Sequence, residues 1–204
     1  MPARVGEQRS QPLPEDSDWL LPFLGDLRRL GRRVLEIGCG PGLDSATLTA
    51  NGFEVVAFDR RPLAQAKNVA PEALFLRADL SRPFPFRDGM FDSAVASLSL
   101  HYDTWTTTRA AFREIRRVVK PGSAFLFRVN AFDDVFHGAG EGQELERGFF
   151  LTPNATYSET KRFFDEEMVA AAVEGLFTVA SLRHMTIHRY ENPKRVFECL
   201  ARAI

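Results

Sequence analysis

Apolar positions along the chain fall into two rhythms. In SDWLLPFLGDLRRLG, from Ser17, the residues Trp19, Leu20, Phe23, Leu24, Leu27 and Leu30 recur at helical spacing, with Pro22 near the start and Gly31 placed to end the segment. Short apolar runs then alternate with helical patterns. Strands are predicted over 33–37 (RVLEI), 54–59 (EVVAFD), 73–79 (ALFLRAD), 91–100 (FDSAVASLSL) and 123–130 (SAFLFRVN), and helices over 43–52, 62–70 and 104–119. Apolar strands in strand–helix alternation are parallel and buried on both faces by crossover helices. The expected architecture is therefore an open α/β sandwich, with ligands beyond the carboxyl ends of the strands.

The alternation stops after the fifth strand. A stretch of roughly 30 residues from Ala131, containing HGAGEG, is long for a connection and is expected to be an irregular excursion whose glycines give mobility to a lid. A helix is predicted over 163–176, with acids in its first turn where the helix dipole favours them. Two strands around the turn ENPK then form an antiparallel hairpin, so the sheet ends mixed, with seven strands. Residues 1–16, polar and Pro-containing without a period, are expected to be a flexible tail, and 17–204 a single domain.

Composition narrows the function classes. Apolar residues make up 45% of the 204 and charged residues 26%, which fits a globular domain. The net charge of -1 gives no footprint for nucleic acid or an acidic membrane, and neither partner is expected. No run reaches the ~18 apolar residues of a membrane span. The polar N-terminal stretch does not read as a signal peptide, and the two cysteines, Cys39 and Cys199, form neither a disulfide framework nor a metal cluster. A reducing, cytoplasmic setting is expected.

The chemistry is concentrated in VLEIGCGPG, residues 34–42. Gly38, Gly40 and Gly42 free the backbone to approach a ligand closely, and the following helix presents its unpaired N–H groups. A dinucleotide turn places its third glycine three residues after the second, where this chain has Leu43, and Glu36 would repel a pyrophosphate but suit a cationic amino group. The balance favours a sulfonium nucleoside over a dinucleotide.

VLEIGCGPG resembles the first motif of class I S-adenosylmethionine-dependent methyltransferases, of the small methyltransferase type 11-like kind. The resemblance extends to Asp59 closing strand two, to RADLSRPFPFRDGMFDSAVASLSLHY, to FREIRRVVKPGSAFLF and to the reversed hairpin, over residues 17–204. It implies a three-layer Rossmann-like sandwich and S-adenosyl-L-methionine as cofactor. Cofactor-binding residues would be Glu36, Gly38, Cys39, Gly40, Asp59, Arg60, Asp79, Leu80 and Ser97. Asp59 would hold the ribose hydroxyls, Arg60 would flank the adenine, Asp79 and the Leu80 N–H would receive the ring, and Ser97 would line the methionyl end. Asp79 also reads as a loop-start cap, and Arg60 as an exposed strand-end residue.

In SLSLHYD, Ser99, His101 and Tyr102 fall at the expected methyl-transfer face. His101 is the best candidate to orient an acceptor or take its proton, the competing reading being a packed loop histidine, and Tyr102 is the second catalytic candidate. His184 and His188 are too far apart on a strand to share a metal, and no metal site is expected. The basic run in FREIRRVVK reads as a solvated helix face. Trp19 reads as a core residue or, with Phe149, Phe150 and Tyr157, as the wall of a partly apolar acceptor pocket. A small-molecule acceptor follows as the expectation, with oligomeric state and acceptor identity open. The alternatives are a cofactor-binding regulatory or partner module without chemistry and, third, an NAD-dependent oxidoreductase.

Overall fold

The computed structural model describes residues 18–151, 159–188 and 190–204; the expected tail and Tyr157 lie outside them. The N-terminal segment is a 3-10 turn, Asp18–Phe23, that takes in Pro22 and runs into α1 (Leu24–Leu30), closed by Gly31. The alternating region gives β1 (Arg33–Ile37), α2 (Leu43–Ala50), β2 (Glu54–Asp59), α3 (Ala64–Val69), β3 (Leu74–Arg77), β4 (Phe91–Ser97), α4 (Trp105–Val118) and β5 (Val119–Asn130). After it come β6 (Gln143–Glu146), β7 (Phe149–Leu151), β8 (Thr160–Arg162), α5 (Glu166–Val173), β9 (Phe177–Ile187) and β10 (Lys194–Ala203).

Seven strands form one sheet in the order β3-β2-β1-β4-β5-β10-β9. All neighbours pair parallel except at β10, which runs antiparallel to both β5 and β9. The expected mixed sandwich and terminal hairpin are therefore present. From β1 the chain winds outward through β2 and β3, then returns to β4 on the other side of β1. The carboxyl ends of β1 and β4 thus flank the topological switch point, where such sheets hold ligands.

Side-chain alternation divides the core between the two faces. Leu35, Ile37, Ala94, Ala96, Phe125, Phe127 and Val129 pack under α4 and α5, whereas Val34, Val95 and Leu126 pack under the N-terminal segment, α2 and α3. Glu36, Ser97, Arg128, Asn130 and Glu198 carry the second face's parity, so a row of polar side chains runs along that face near the carboxyl ends of the parallel strands. Arg128 and Glu198 are register partners and form a buried ion pair at 2.6 Å, with Arg183 on the other Glu198 oxygen. Trp19 covers this row with its ring 4.5 Å from the Arg128 guanidinium, and its Nε1 donates to Asp44 at 3.0 Å. It is a core residue.

Several expectations are corrected. The segment from Ala131 is irregular only in part: after a 3-10 turn, Val135–His137, β6, β7 and β8 form a separate three-stranded antiparallel sheet. Its strands are only three or four residues long, too short for alternation to register in the sequence. Phe149 and Phe150 do not wall an open pocket. They are buried in the small sheet's packing, Phe149 against Arg162 and Phe150 against Phe163.

The helix predicted from 163 begins at Glu166. The Asp165 carboxylate caps it by accepting from the Met168 N–H at 2.8 Å, while Phe163 and Phe164 are drawn into extended pairing with the Gly148 and Asn130 carbonyls. The basic face of α4 is not merely solvated. Arg117 binds Glu114, Asp88 and the Phe84 and Phe86 carbonyls, which ties the loop before β4 to the helix.

Candidate functional site

At the end of β1 the glycine turn is bonded to the end of β2. The Gly38 and Cys39 N–H groups donate to the Phe58 carbonyl at 2.8 and 3.1 Å. The Asp59 carboxylate accepts from the Gly40 N–H on one oxygen and from the Arg61 N–H on the other, each at 2.9 Å. Two strand ends and the turn are thereby held as one unit. Asp59 keeps further lone pairs on both oxygens for a ligand.

The three glycines serve different ends, though all have positive φ. A Cβ on Gly42 would lie 2.9 Å from the Ala66 Cα, and one on Gly38 would overlap Ser99, whose hydroxyl donates to the Ile37 carbonyl at 2.6 Å. Those two positions permit close packing. Gly40 alone faces open space, its nearest neighbour being the Arg61 Nη2 at 3.9 Å. The side of the turn open to a ligand is therefore at Gly40, beside Asp59.

Glu36 is 3% exposed, and its carboxylate oxygen is bonded to the Ser45 hydroxyl, in the first turn of α2. Burial and then repulsion from Asp44 push its carboxyl well above the usual range, with Asp59 adding to this and the Ser45 bonds opposing it. A cationic group arriving here would restore the ionised form. Cys39, buried beside Glu36 and Asp59, has its thiol pushed up by burial and by these carboxylates, so it packs rather than reacts.

The adenine-side candidates are more exposed. Asp79 lies beyond the end of β3 and accepts from the Ser81 N–H and hydroxyl, both at 2.9 Å; these bonds hold its carboxyl below the usual range. The cap expected of it is present. Arg60 is exposed, and Leu80 is half-buried in the same loop.

At the end of β4, Leu98 has φ 55°, the single positive φ among described non-glycine residues. A branched-chain residue held there costs about 1–2 kcal/mol, and the strain turns the chain out of the sheet at the switch point. The turn delivers Ser99, His101 and Tyr102. His101 is 1% exposed, with its ring 4.3 Å from that of Tyr102. Burial, then Lys194 and Lys161, lower its pKa well below the ordinary value. The imidazole is therefore held in its neutral form.

Three side chains at this rim have buried polar atoms with no hydrogen-bond partner among the described residues: the Ser97 hydroxyl, the His101 Nδ1 and both carboxamide atoms of Asn130. Burying such groups unpaired costs stability, so their concentration beside the switch point marks a ligand site. Asn130 and the supporting Arg162 were not legible in the sequence. Arg162 is 1% exposed, donates from its backbone N–H to the His101 carbonyl at 2.7 Å and from its side chain to Glu146 at 2.5 Å, and lies 5.5 Å from the Trp105 ring. The small sheet is thus fastened to the loop that carries His101.

A cavity of about 480 Å³ lies elsewhere, on the α5 side among Phe132, Phe164 and Phe197. Most of its polar groups are paired with one another, Asp133 with His184 and Arg195, and Arg147 with Asp165 and Glu167. His184 is accordingly a structural residue stacked on Phe197. Among the described residues no helix is long and apolar enough to cross a membrane.

The fold and the acid–glycine turn define a Rossmann-like sandwich of the methyltransferase type, and relatives agree. A methyltransferase domain family matches residues 35–127. An uncharacterized methyltransferase of Synechocystis sp. is 32% identical over 122 residues, covering 59% of this chain and 53% of that protein. A malonyl-[acyl-carrier protein] O-methyltransferase of Pseudescherichia vulneris is 29% identical over 173 residues, covering 84% of this chain and 63% of that protein. A SAM-dependent methyltransferase structure from Methanosarcina mazei superposes with a TM-score of 0.73 at 21% identity, over 90% of this chain and 97% of that one. The matched domain, these relatives and the shared fold support a class I S-adenosylmethionine-dependent methyltransferase family. It spans less than two thirds of the length of these two curated relatives.

Proposed function

We propose that this protein is an S-adenosylmethionine-dependent methyltransferase acting on a small-molecule acceptor. The observation that carries the reading is the unit of Gly40 and Asp59, open on its ligand side, with a buried acid beneath it and unpartnered polar groups across the switch point. The residues present fit a cationic nucleoside without phosphates. Glu36 would hold the amino group and Ser97 the rest of the methionyl end, Asp59 would accept the ribose hydroxyls, and Asp79 with the Leu80 N–H would receive the adenine, flanked by Arg60.

Held by these residues, the cofactor would supply an activated methyl group to the acceptor. The chain's own work is alignment and exclusion of water. His101 and Tyr102, their tilted rings 4.3 Å apart and the His101 loop braced by Arg162, orient the acceptor. Neutral His101 would hydrogen-bond it rather than remove a proton. The near-neutral net charge supports a small acceptor over nucleic acid.

Calorimetry with S-adenosylmethionine, S-adenosylhomocysteine and NAD tests the cofactor; binding of NAD alone would overturn the reading. A methyl-transfer assay over small oxygen, nitrogen, sulfur and metalloid acceptors tests the activity. Unchanged turnover in both His101→Ala and Tyr102→Phe would remove those residues from the mechanism.

A further inference from the structure

Asn130 ends β5 with 0% exposure, and neither atom of its carboxamide meets a partner among the described residues. Its neighbourhood is set by backbone geometry. The Asn130 carbonyl accepts from the Phe164 N–H at 2.8 Å and the His101 carbonyl from the Arg162 N–H at 2.7 Å, so both are read by one extended segment, two residues apart. That spacing brings the two backbones within about 7 Å of each other. Asn130 and His101 thus lie close together in backbone at the ends of β4 and β5.

Two lysines act on His101: Lys194, whose Nζ is 2.8 Å from the buried Asp134, and Lys161, whose Nζ donates to the His137 carbonyl at 2.9 Å. Neither unpartnered group is a useful base, because a carboxamide does not take up a proton and burial among cations disfavours imidazolium. An acceptor that must lose a proton to react finds no base in this pair. An acceptor already anionic needs none, and a carboxamide N–H with a neutral imidazole N–H can donate to it.

We propose that the Asn130 carboxamide and the His101 Nδ1 form the acceptor subsite and that it takes a carboxylate, which the protein converts to a methyl ester. This rests on the methyltransferase reading. A carboxylate oxygen lone pair forms the O–CH₃ bond, the S–CH₃ bond breaks with its electron pair retained by sulfur, and the negative oxygen and positive sulfonium neutralise each other with no proton to move. The Asn130 amide N–H and the His101 Nδ1–H tautomer donate to the second carboxylate oxygen.

The full chain, labelled with ¹⁵N-histidine and saturated with S-adenosylhomocysteine, is titrated with acetate and propionate, and separately with acetamide and ethylammonium. The His101 ring signals are followed by NMR and assigned with His101→Phe. Carboxylates should shift them saturably, the amide and ammonium ions should not, and Asn130→Leu should weaken the carboxylate response at least tenfold while S-adenosylhomocysteine affinity is retained. Lys161→Gln should weaken it as well. Should Asn130→Leu not fold, Asn130→Ala in the same titration decides. Equal responses to acetamide or ethylammonium, no response to either carboxylate, or an Asn130 variant that folds and responds like wild type overturns the proposal. Failure to bind S-adenosylhomocysteine overturns the underlying cofactor reading instead.

Discussion

The Asp59 carboxylate accepts the Gly40 N–H at 2.9 Å, so the acid that ends β2 also sets the path of the glycine turn that follows β1. A second bond, from the Arg61 N–H, fixes the other oxygen. One side chain therefore shapes the turn and joins it to the end of β2.

Asp59→Asn should weaken S-adenosylhomocysteine binding by about 10–100-fold, because bonds to a charged acceptor contribute roughly 1.5–3 kcal/mol and an amide nitrogen cannot accept from both backbone groups. Calorimetry of the folded variant measures it. An unchanged affinity would remove Asp59 from the cofactor site.

Gly40→Ala and Gly42→Ala should separate binding from folding. Both residues carry positive φ, but only a Cβ at 42 meets backbone, at 2.9 Å from the Ala66 Cα. Gly42→Ala is expected to lose about 1–3 kcal/mol of stability in urea denaturation through overpacking beyond the shared φ penalty. Gly40→Ala should lose mainly S-adenosylhomocysteine affinity.

Glu36 gives the free protein a pH dependence of defined sign. Its folded pKa is raised by burial and by Asp44, so the native state holds a proton that the unfolded chain releases near pH 4.5. The stabilisation from this group is complete below that value and is lost as pH rises toward the folded pKa. Glu36→Gln should flatten this decline, seen in denaturation midpoints between pH 4.5 and 8 relative to wild type, and should weaken cofactor binding. In wild type, cofactor binding should release a proton, detected as a dependence of the calorimetric heat on the buffer's ionisation enthalpy.

Arg128 and Glu198 form a buried pair under Trp19. Removing one partner leaves a charge without its counterion, so Glu198→Gln should cost about 3–5 kcal/mol, while Arg128→Met with Glu198→Leu should recover most of that loss. Chemical denaturation of the single and double variants checks both. Equal losses in the two would point to packing in place of electrostatics.

The sequence by itself determined the succession of the central strands and their parallel direction, because residues such as Val34, Leu35, Val95 and Phe127 are apolar on both sheet faces and the helical patterns between them require crossovers; which strands pair came from the fold. It also determined the acid–glycine turn, since a chain that must pass from Ile37 into α2 through Gly38, Gly40 and Gly42 has few other conformations. Only the tertiary structure decided which glycine opens toward a ligand, because Ser99 and Ala66 come to Gly38 and Gly42 from 61 and 24 residues away in the chain. It alone brought Asn130 beside His101, since that meeting depends on a short strand, β8, whose three residues carry no period of their own. The basicity of His101 was decided there too. A side chain's type fixes its intrinsic pKa, but burial and the neighbouring Lys194 and Lys161 fix the value it has in the fold.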